Sequence, residues 1–340
     1  METINIPLPV LECWVAAIFR RAGLDEDTAG PAARRLLLAD ITGVRTHGVA
    51  RLPSYWRQLT RDGGLNPKPD IAYAWHGTML TVDADLGLGQ IVGPRVIARA
   101  LDALDPARPF VPFIIRNAGH LGALGSHLFD AAEAGMVAFL SQVTQPVMAP
   151  EGATRPAIGN NPIAFAAPRR DGPPLVIDFA VSNVARGKIH VAVRDGSPIS
   201  EGWAIDPQGR PTIDPIAALA GSILPAAGHK GLALAMIVEV LAGALTGARP
   251  LLSEGGAPGG VGAFGFVLDP AAIAGQEAFD QTMSAWTAHY HAAVGSHGRI
   301  PGERAAQLRA AAERDGVEIE SALRALLIEL GETAGVAFLV

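Results

Sequence analysis

One cysteine in 340 residues leaves nothing for it to pair with, so internal disulfides and cysteine-based metal clusters are excluded. Cys13 falls on a helical pattern and reads as a packing residue there; such scarcity fits a reducing cytoplasm. Charge is also sparse: DEKR make up 18% of the chain and the net charge is −6, with no basic surplus for nucleic acid. No apolar run reaches the about 20 residues that a bilayer-spanning helix needs. The nearest, 232–245, is short and holds Glu239, so it reads as a buried helix. The N-terminus carries Glu2 and no basic stretch, and Glu12, Arg20 and Arg21 interrupt its apolar residues, unlike a signal peptide. The nine histidines show neither HExxH nor another compact zinc spacing, so no metal is expected. A GxSxG elbow is missing as well, which argues against an α/β-hydrolase nucleophile.

What the chain does have is apolar bulk, 49% of residues, together with 39 glycines and 26 prolines. That describes a globule rich in ordered loops, where ligand contacts concentrate. Its length suggests two domains or one elaborated domain. Leu11, Trp14, Val15, Ile18 and Phe19 mark one face of a first helix, which should end at Gly23. Asp25 or Asp27 can cap a second helix to about Asp40, and a third should run from Arg51 to Asp62, stopping at Gly63-Gly64. Asn66–Pro69 is a linker-like break. Beyond it the pattern alternates. Strands are expected at 79–82, 111–116, 137–142, 163–167, 175–179 and 263–268, and helices at 91–104, 123–134, 183–194 and 231–245. This is an α/β domain with a mixed or largely parallel sheet. The stretch 198–225 lacks periodicity and reads as a long functional loop. Two further helices, 303–314 and 318–330, would pack back on the N-terminal ones. The Gly/Pro-rich stretch 249–262 carries no assignment.

Several short patterns carry chemistry. In Gly43–Tyr55 a histidine stands between glycines, with Arg51 four residues on. Either this is a helix–helix turn with a surface His47, or a titratable ring and a fixed cation face one space. Asn117–Gly122 repeats the arrangement at a strand end, where open sheets bind ligands, although a lone His120 can equally be structural. Gly87-Leu-Gly89 and Gly93 form GxGxxxG, one residue longer than the dinucleotide fingerprint, and a tight turn explains them better. Gly228–Gly231 opens an apolar helix with Lys230, so it is either an anion site for a cofactor phosphate or a helix start with a solvated lysine. Asp178 closes a strand, and Ser182 or Asn183 can cap the helix that carries Arg186 and Lys188. Gly159–Pro162 is a turn whose amides can bind backbone or ligand.

Seven blocks in order resemble the malate/L-lactate/L-sulfolactate dehydrogenase family of non-Rossmann NAD(P)-dependent oxidoreductases. They are GVRTHGVARLPSY (43–55), NAGHLGALG (117–125), GNNPIAFAAP (159–168), DFAVSNVARGKI (178–189), EGWAIDPQGRPTIDP (201–215), GHKGLALA (228–235) and RIPGE (299–303). The resemblance implies a mixed-sheet α/β cofactor- and substrate-binding domain, 71–299. Beside it would stand a helical domain from both chain ends, 1–70 plus 300–332, in a homodimer. It implies reduction of 2-oxo acids or cyclic imines by hydride transfer from NADH or NADPH. His47 becomes the proton donor, oriented by Thr46, and Arg51 the carboxylate clamp. The cofactor would be lined by His120, Leu121, Gly122, Ala123 and Leu124, by Asp178, Phe179 and Ala180, by His229 and Lys230, and by Arg299, Pro301, Gly302 and Glu303. Asn160, Arg186 and Gly187 would lie near substrate. Imine-reducing members resemble a Ser-His pair with a distant Asp, whereas Thr46 and Lys188 stand at those positions here. Asn160 likewise stands where many members have threonine. The expected substrate is therefore a 2-hydroxy acid of malate, lactate or sulfolactate type, with Lys188 available to a second anionic group. A cyclic-imine reductase is the alternative, and a silent nucleotide-binding homologue the reading from another class. The choice between NAD and NADP stays open.

Overall fold

A computed structural model describes residues 3–61, 64–248 and 260–339. Asp62, Gly63 and most of the 249–262 stretch lie outside the described residues. The first part runs β1 (Thr3–Ile6), α1 (Leu8–Arg21), α2 (Glu26–Ile41), α3 (Leu52–Thr60), β2 (Ala72–His76), β3 (Met79–Asp83), α4 (Gly89–Leu101), β4 (Phe110–Ala118) and α5 (Leu124–Glu133). Next come β5 (Val137–Gln142), β6 (Pro146–Met148), β7 (Ile158–Gly159), β8 (Ile163–Ala167), β9 (Leu175–Phe179) and α6 (Arg186–Asp195). They are followed by β10 (Ala204–Ile205), β11 (Pro211–Thr212), α7 (Pro215–Ala220), β12 (Ser222–Ile223) and α8 (His229–Val238). The chain closes with β13 (Val261–Leu268), α9 (Pro270–Ala274), α10 (Gln276–Val294), α11 (Glu303–Asp315), β14 (Val317–Glu320) and α12 (Ser321–Ala334).

Both chain ends share one apolar core. The expected face of α1 is buried whole, and it meets Leu327, Leu330 and Phe338 from the C-terminal end. β1 and β14 pair antiparallel, Thr3 opposite Glu320 and Ile6 opposite Val317. The Trp14 ring stands edge-on to Phe338 at 4.7 Å, and its indole N–H donates to the Val336 carbonyl. Each large apolar side chain removed from water here contributes about 1.5–3 kcal/mol. Helix α1 ends as its sequence indicates, with Gly23 at φ +102°, a backbone state that glycine adopts without strain.

Among the described residues the central sheet has seven strands in the order β2-β3-β4-β13-β5-β8-β9. It is mixed, but the largely parallel variant is not found: β3–β4 is parallel and the other pairs are antiparallel. Leu80, Val82, Phe113, Ile115 and Leu140 bury one core against Val92 and Val96 of α4 and Leu124 and Leu128 of α5. The fold is thus mixed α/β with several sheets.

Other expectations need correction. The stretch 198–225 is not a loop: it supplies α7 and three strands of a second sheet, β11-β10-β12-β6-β7. Strands of two residues are too short to show a period. The helix expected from 183 starts at Arg186 with Ala185 as its cap residue, because Ser182 Oγ and Asn183 Nδ2 donate to the Val184 and Gly202 carbonyls instead. Residues 317–320 form β14, with Val317 and Ile319 buried in alternation, before α12 begins. The 19-residue α10 went unanticipated, although Phe279, Met283, Trp286 and Tyr290 recur at helical spacing; among its residues only Asp280 and Thr287 are fully buried. Cys13 is exposed rather than packed.

The apolar 229–246 stretch is also only one-third buried, and by length and composition it would suffice to cross a membrane. Small residues face inward, Gly231, Ala235 and Ala242, while Met236, Ile237, Val240 and Leu245 face outward. A π turn at Glu239–Gly243 interrupts it.

Candidate active site

The site begins where α2 ends. Two 3₁₀ turns, Arg45–His47 and Val49–Arg51, lead into α3, with Arg51 as its N-cap residue. Thr46 Oγ1 lies 3.0 Å from His47 Nδ1, as expected, and fixes the ring's rotation. Four residues after Arg51, one helical turn on, Tyr55 is fully buried, and the guanidinium stands 5.9 Å from its ring centroid.

The second half comes from the loop after β4. Gly89 opens α4 so close to that loop that a Cβ would lie 2.3 Å from the His120 carbonyl oxygen. Gly93 packs equally tightly on the His127 ring. The fingerprint-like glycines therefore serve close backbone and ring packing. This approach sets the His120 ring 5.7 Å from the His47 ring, nearly parallel at 27°. His120 Nδ1 is 2.9 Å from the Tyr55 hydroxyl, which also receives Gln90 Nε2 at 3.3 Å. His127, beneath, bonds through Nε2 to the Leu121 carbonyl.

Both rings of the pair are held neutral. Burial, then the Arg51 guanidinium, pushes the His47 pKa down to about 4. Burial, then His47 and Arg51, pushes His120 down to about 3. Arg51 Nε is itself buried with no hydrogen-bond partner among the described residues. A buried unpaired donor beside two neutral imidazoles suits an anion.

A second group surrounds the end of β9. Asp178 accepts the Gly125 N–H at 2.8 Å in the first turn of α5, and burial raises its pKa to about 6 despite that bond. The Val176 N–H donates to the Pro301 carbonyl, and Gly302, at φ +106°, packs on the Pro174 carbonyl. Ala226 N–H donates to the Val181 carbonyl, on which Gly231 also packs, so the α8 entry adjoins the same strand end. His229 and Lys230 are exposed there, and Phe179, which follows Asp178, is exposed as well. Leu121 N–H approaches Gln142 Oε1 at 3.5 Å, while Gln142 Nε2 and Gln90 Oε1 are buried without partners. Those free amide groups beside the His120 loop, with the Lys230 cation, suit a group that carries an amide and phosphates.

The remaining expected residues divide. Gly187 sits against Thr46, where a Cβ would be 3.5 Å from Thr46 Cγ2. Lys188 is exposed and lines a cavity with Arg45, Thr46 and Arg304. Arg186 donates to the Leu219 carbonyl, and Asn160 Oδ1 accepts from Thr144 Oγ1, rather than bonding the histidine pair. Neighbouring Asn161, fully buried, binds the Ala235 carbonyl and Glu239. Glu303 is taken up by Arg169, His291 and the Ile300 N–H, which fixes the 299–303 segment, while Arg299 is exposed. Sequence reasoning missed Asp40, Tyr55 and Gln90. Tyr55 carried a signal, its spacing of four from Arg51; Gln90 and Asp40 show only as polar residues in apolar helices.

Residues 6–327 match the malate/L-lactate dehydrogenase family model. A (2R)-3-sulfolactate dehydrogenase (NADP(+)) of Chromohalobacter salexigens is 38% identical over 89% of the chain and 91% of that protein. A delta(1)-pyrroline-2-carboxylate/delta(1)-piperideine-2-carboxylate reductase of Pseudomonas putida is 36% identical over 96% and 97%. The structure of sulfolactate dehydrogenase from Methanocaldococcus jannaschii superposes with a TM-score of 0.87 at 31% identity, covering 98% of each chain.

Proposed function

The chain belongs to the malate/L-lactate dehydrogenase family, and on that footing we propose that it interconverts a 2-hydroxy acid and its 2-oxo acid with His47 handling the proton. It is an oxidoreductase that works with a nicotinamide cofactor. The observation that carries the substrate reading is Arg51, whose buried Nε lacks a partner next to the His47–His120 pair. A 2-oxo acid's carboxylate satisfies that donor and fixes the carbonyl in front of His47.

When bound, a reduced nicotinamide supplies a hydride to the carbonyl carbon. His47 gives its proton to the carbonyl oxygen; in the reverse direction the neutral ring takes the hydroxyl proton. Arg51 lowers the proton affinity of His47 in the free chain, so a carboxylate that offsets the guanidinium lets the ring become charged when substrate arrives. Thr46 holds the ring, and Tyr55 holds His120 against it. In this reading Leu121–Leu124, Asp178–Ala180, His229, Lys230 and 299–303 line the cofactor, and Gly187 and Asn160 flank the substrate. Lys188, in the cavity beside Thr46, serves a second anionic group as in malate or sulfolactate.

The Pseudomonas putida relative favours a second reading, reduction of a cyclic imine at the same site. Oxidation of NADH and of NADPH by a panel of 2-oxo acids and cyclic imines tests both. Turnover of 2-oxo acids supports the first, imine-only turnover the second. Cofactor binding without turnover would make the chain a silent homologue. The outward apolar residues of the 229–246 stretch, Met236, Ile237 and Val240, support a homodimer, and the lone exposed Cys13 is at home in the cytoplasm.

A further inference from the structure

Helix α2 carries a buried carboxylate that the reaction above leaves unused. Asp40, one residue before the helix end, is 8% exposed. Its Oδ2 accepts the Val49 N–H at 2.7 Å, reaching across the turn that carries His47. Gly48, the residue after His47, packs on the same group: a Cβ there would fall 2.1–2.2 Å from the carboxylate atoms. Other contacts also reach it: Val49 is buried in the core, Arg45 pairs with Glu318, and the Val44 N–H donates to the Ala39 carbonyl at 2.7 Å. Within the turn the backbone bonds are single 3₁₀ contacts, His47 N–H to Val44 carbonyl, Gly48 to Arg45, Arg51 to Gly48 and Leu52 to Val49, the second at 3.3 Å. Such turns have poor hydrogen-bond geometry and depend on outside contacts.

We propose that Asp40 is a positioning residue whose carboxylate tethers the His47 turn, and whose charge state sets how firmly that turn is held. The inference rests on the reading of His47 as proton donor. An ionised carboxylate holds a backbone N–H about twice as strongly as a neutral carboxyl does. Burial raises the Asp40 pKa to about 7, with the Val49 N–H and the Arg45 cation opposing it, so both states are within reach near neutrality. The charged groups that share its cavity are Arg45, already paired with Glu318, and Lys188, Arg304 and Asp315. His47 lies on the tethered turn itself, and its own proton affinity falls well below this range. Tethering through Val49 and Gly48 brackets the histidine on its C-terminal side, while Thr46 fixes it on the other.

The full-length chain and its D40N, D40A, G48A and D40A/G48A variants are compared from pH 5.5 to 9. Amide exchange of the 44–52 segment, corrected for intrinsic chemistry, is read alongside kcat and KM for whichever substrate the panel yields. In the native chain, protection and kcat should rise together as pH passes about 7. In D40N that step should vanish from both, with kcat held at its low-pH level and KM nearly unchanged, because Arg51 is untouched. D40A should lose about tenfold in kcat, with the isosteric D40N recovering part of it. G48A should be severely impaired, and D40A/G48A should exceed the additive expectation, since the new methyl enters the space the carboxylate leaves. A pH step that persists in D40N overturns the proposal, as does strict additivity of the pair. Loss of the exchange step in D40N when no substrate turns over would support the tether and count against the reaction instead.

Discussion

Replacing Tyr55 with phenylalanine tests the site with little change of volume. The hydroxyl lies between two buried partners, His120 Nδ1 at 2.9 Å and Gln90 Nε2 at 3.3 Å. Gln90 donates to the phenol oxygen, so the phenol proton is paired only if it points to His120 Nδ1. The His120 proton then resides on Nε2. A phenyl ring in place of the phenol would leave Nδ1 and the Gln90 amide without partners, and a buried polar group so stranded costs about 1–3 kcal/mol. The chain should therefore unfold at lower urea with an unchanged m-value. With its tautomer no longer fixed, the His120 ring should pack less firmly on His47. The same 1–3 kcal/mol applied at the transition state would lower kcat/KM by about five- to a hundredfold. Cofactor affinity, read by fluorescence titration, reports whether the loss falls on binding or on the chemical step. If Y55F kept kcat/KM within twofold of the native chain while losing stability, the phenol would be structural alone and the assigned tautomer irrelevant.

Three other outcomes are expected. His47→Ala should lower kcat by about 10²–10⁴ with KM little changed, whereas Arg51→Ala should chiefly raise KM; steady-state kinetics with the same substrate separates them, and equal effects on both constants would refute the division. Gly89→Ala should destabilise the fold by about 1–3 kcal/mol in urea unfolding, because its methyl meets the His120 backbone at 2.3 Å rather than a side chain that can yield. Acid should destabilise the fold through its histidines. His47, His120 and His127 sit at about 4, 3 and 4 against 6.5 when unfolded, so the unfolded chain binds more protons and stability falls as pH drops from about 6.5 to 4. Asp40 and Asp178, raised to about 7 and 6 from 3.8, act oppositely: their contribution is full at low pH and is lost as pH rises through those values. Three histidines against two aspartates leave about one net proton, about 1.4 kcal/mol per pH unit at the steepest; chemical denaturation between pH 4.5 and 7 should show it, and more steeply in D40N.

How legible each part was depends on how far apart its residues lie in the chain. Thr46, His47 and Arg51 lie within six consecutive positions, so turn chemistry was enough to set them in one place, whereas Tyr55, one helical turn after Arg51, was missed. The pairing of His47 with His120 spans more than 70 residues and depends on Gly89 admitting a loop at backbone contact, which no periodicity announces. Asp40 looked like the polar end of a helix; only the fold brings the Val49 N–H onto it. The central-sheet strands from β3 onward could be read directly as apolar runs, whereas the exposed β2 and the two-residue strands of the second sheet could not. Helix α10 was readable and missed: Phe279, Met283, Trp286 and Tyr290 recur at helical spacing, although that face is only partly buried and Trp286 is exposed.

On the proposed reading, Arg51, which has no carboxylate partner among the described residues, links substrate binding to proton transfer. Its charge suppresses the protonation of His47 and His120 alike. Two unit charges 4 Å apart interact by about 4 kcal/mol at the effective dielectric typical near a protein surface. An arriving carboxylate therefore supplies its own binding energy and offsets the Arg51 repulsion that adds to burial in keeping His47 neutral. Protonation of His47 is then favoured chiefly in the complex, where the proton has an acceptor. His120 has to remain uncharged throughout, or the stacked rings would repel once His47 gains its proton. Deep burial and the Tyr55 hydroxyl at Nδ1 keep it so. The apparent excess of positive charge in the free site is thus what makes proton donation conditional on the anion that needs it.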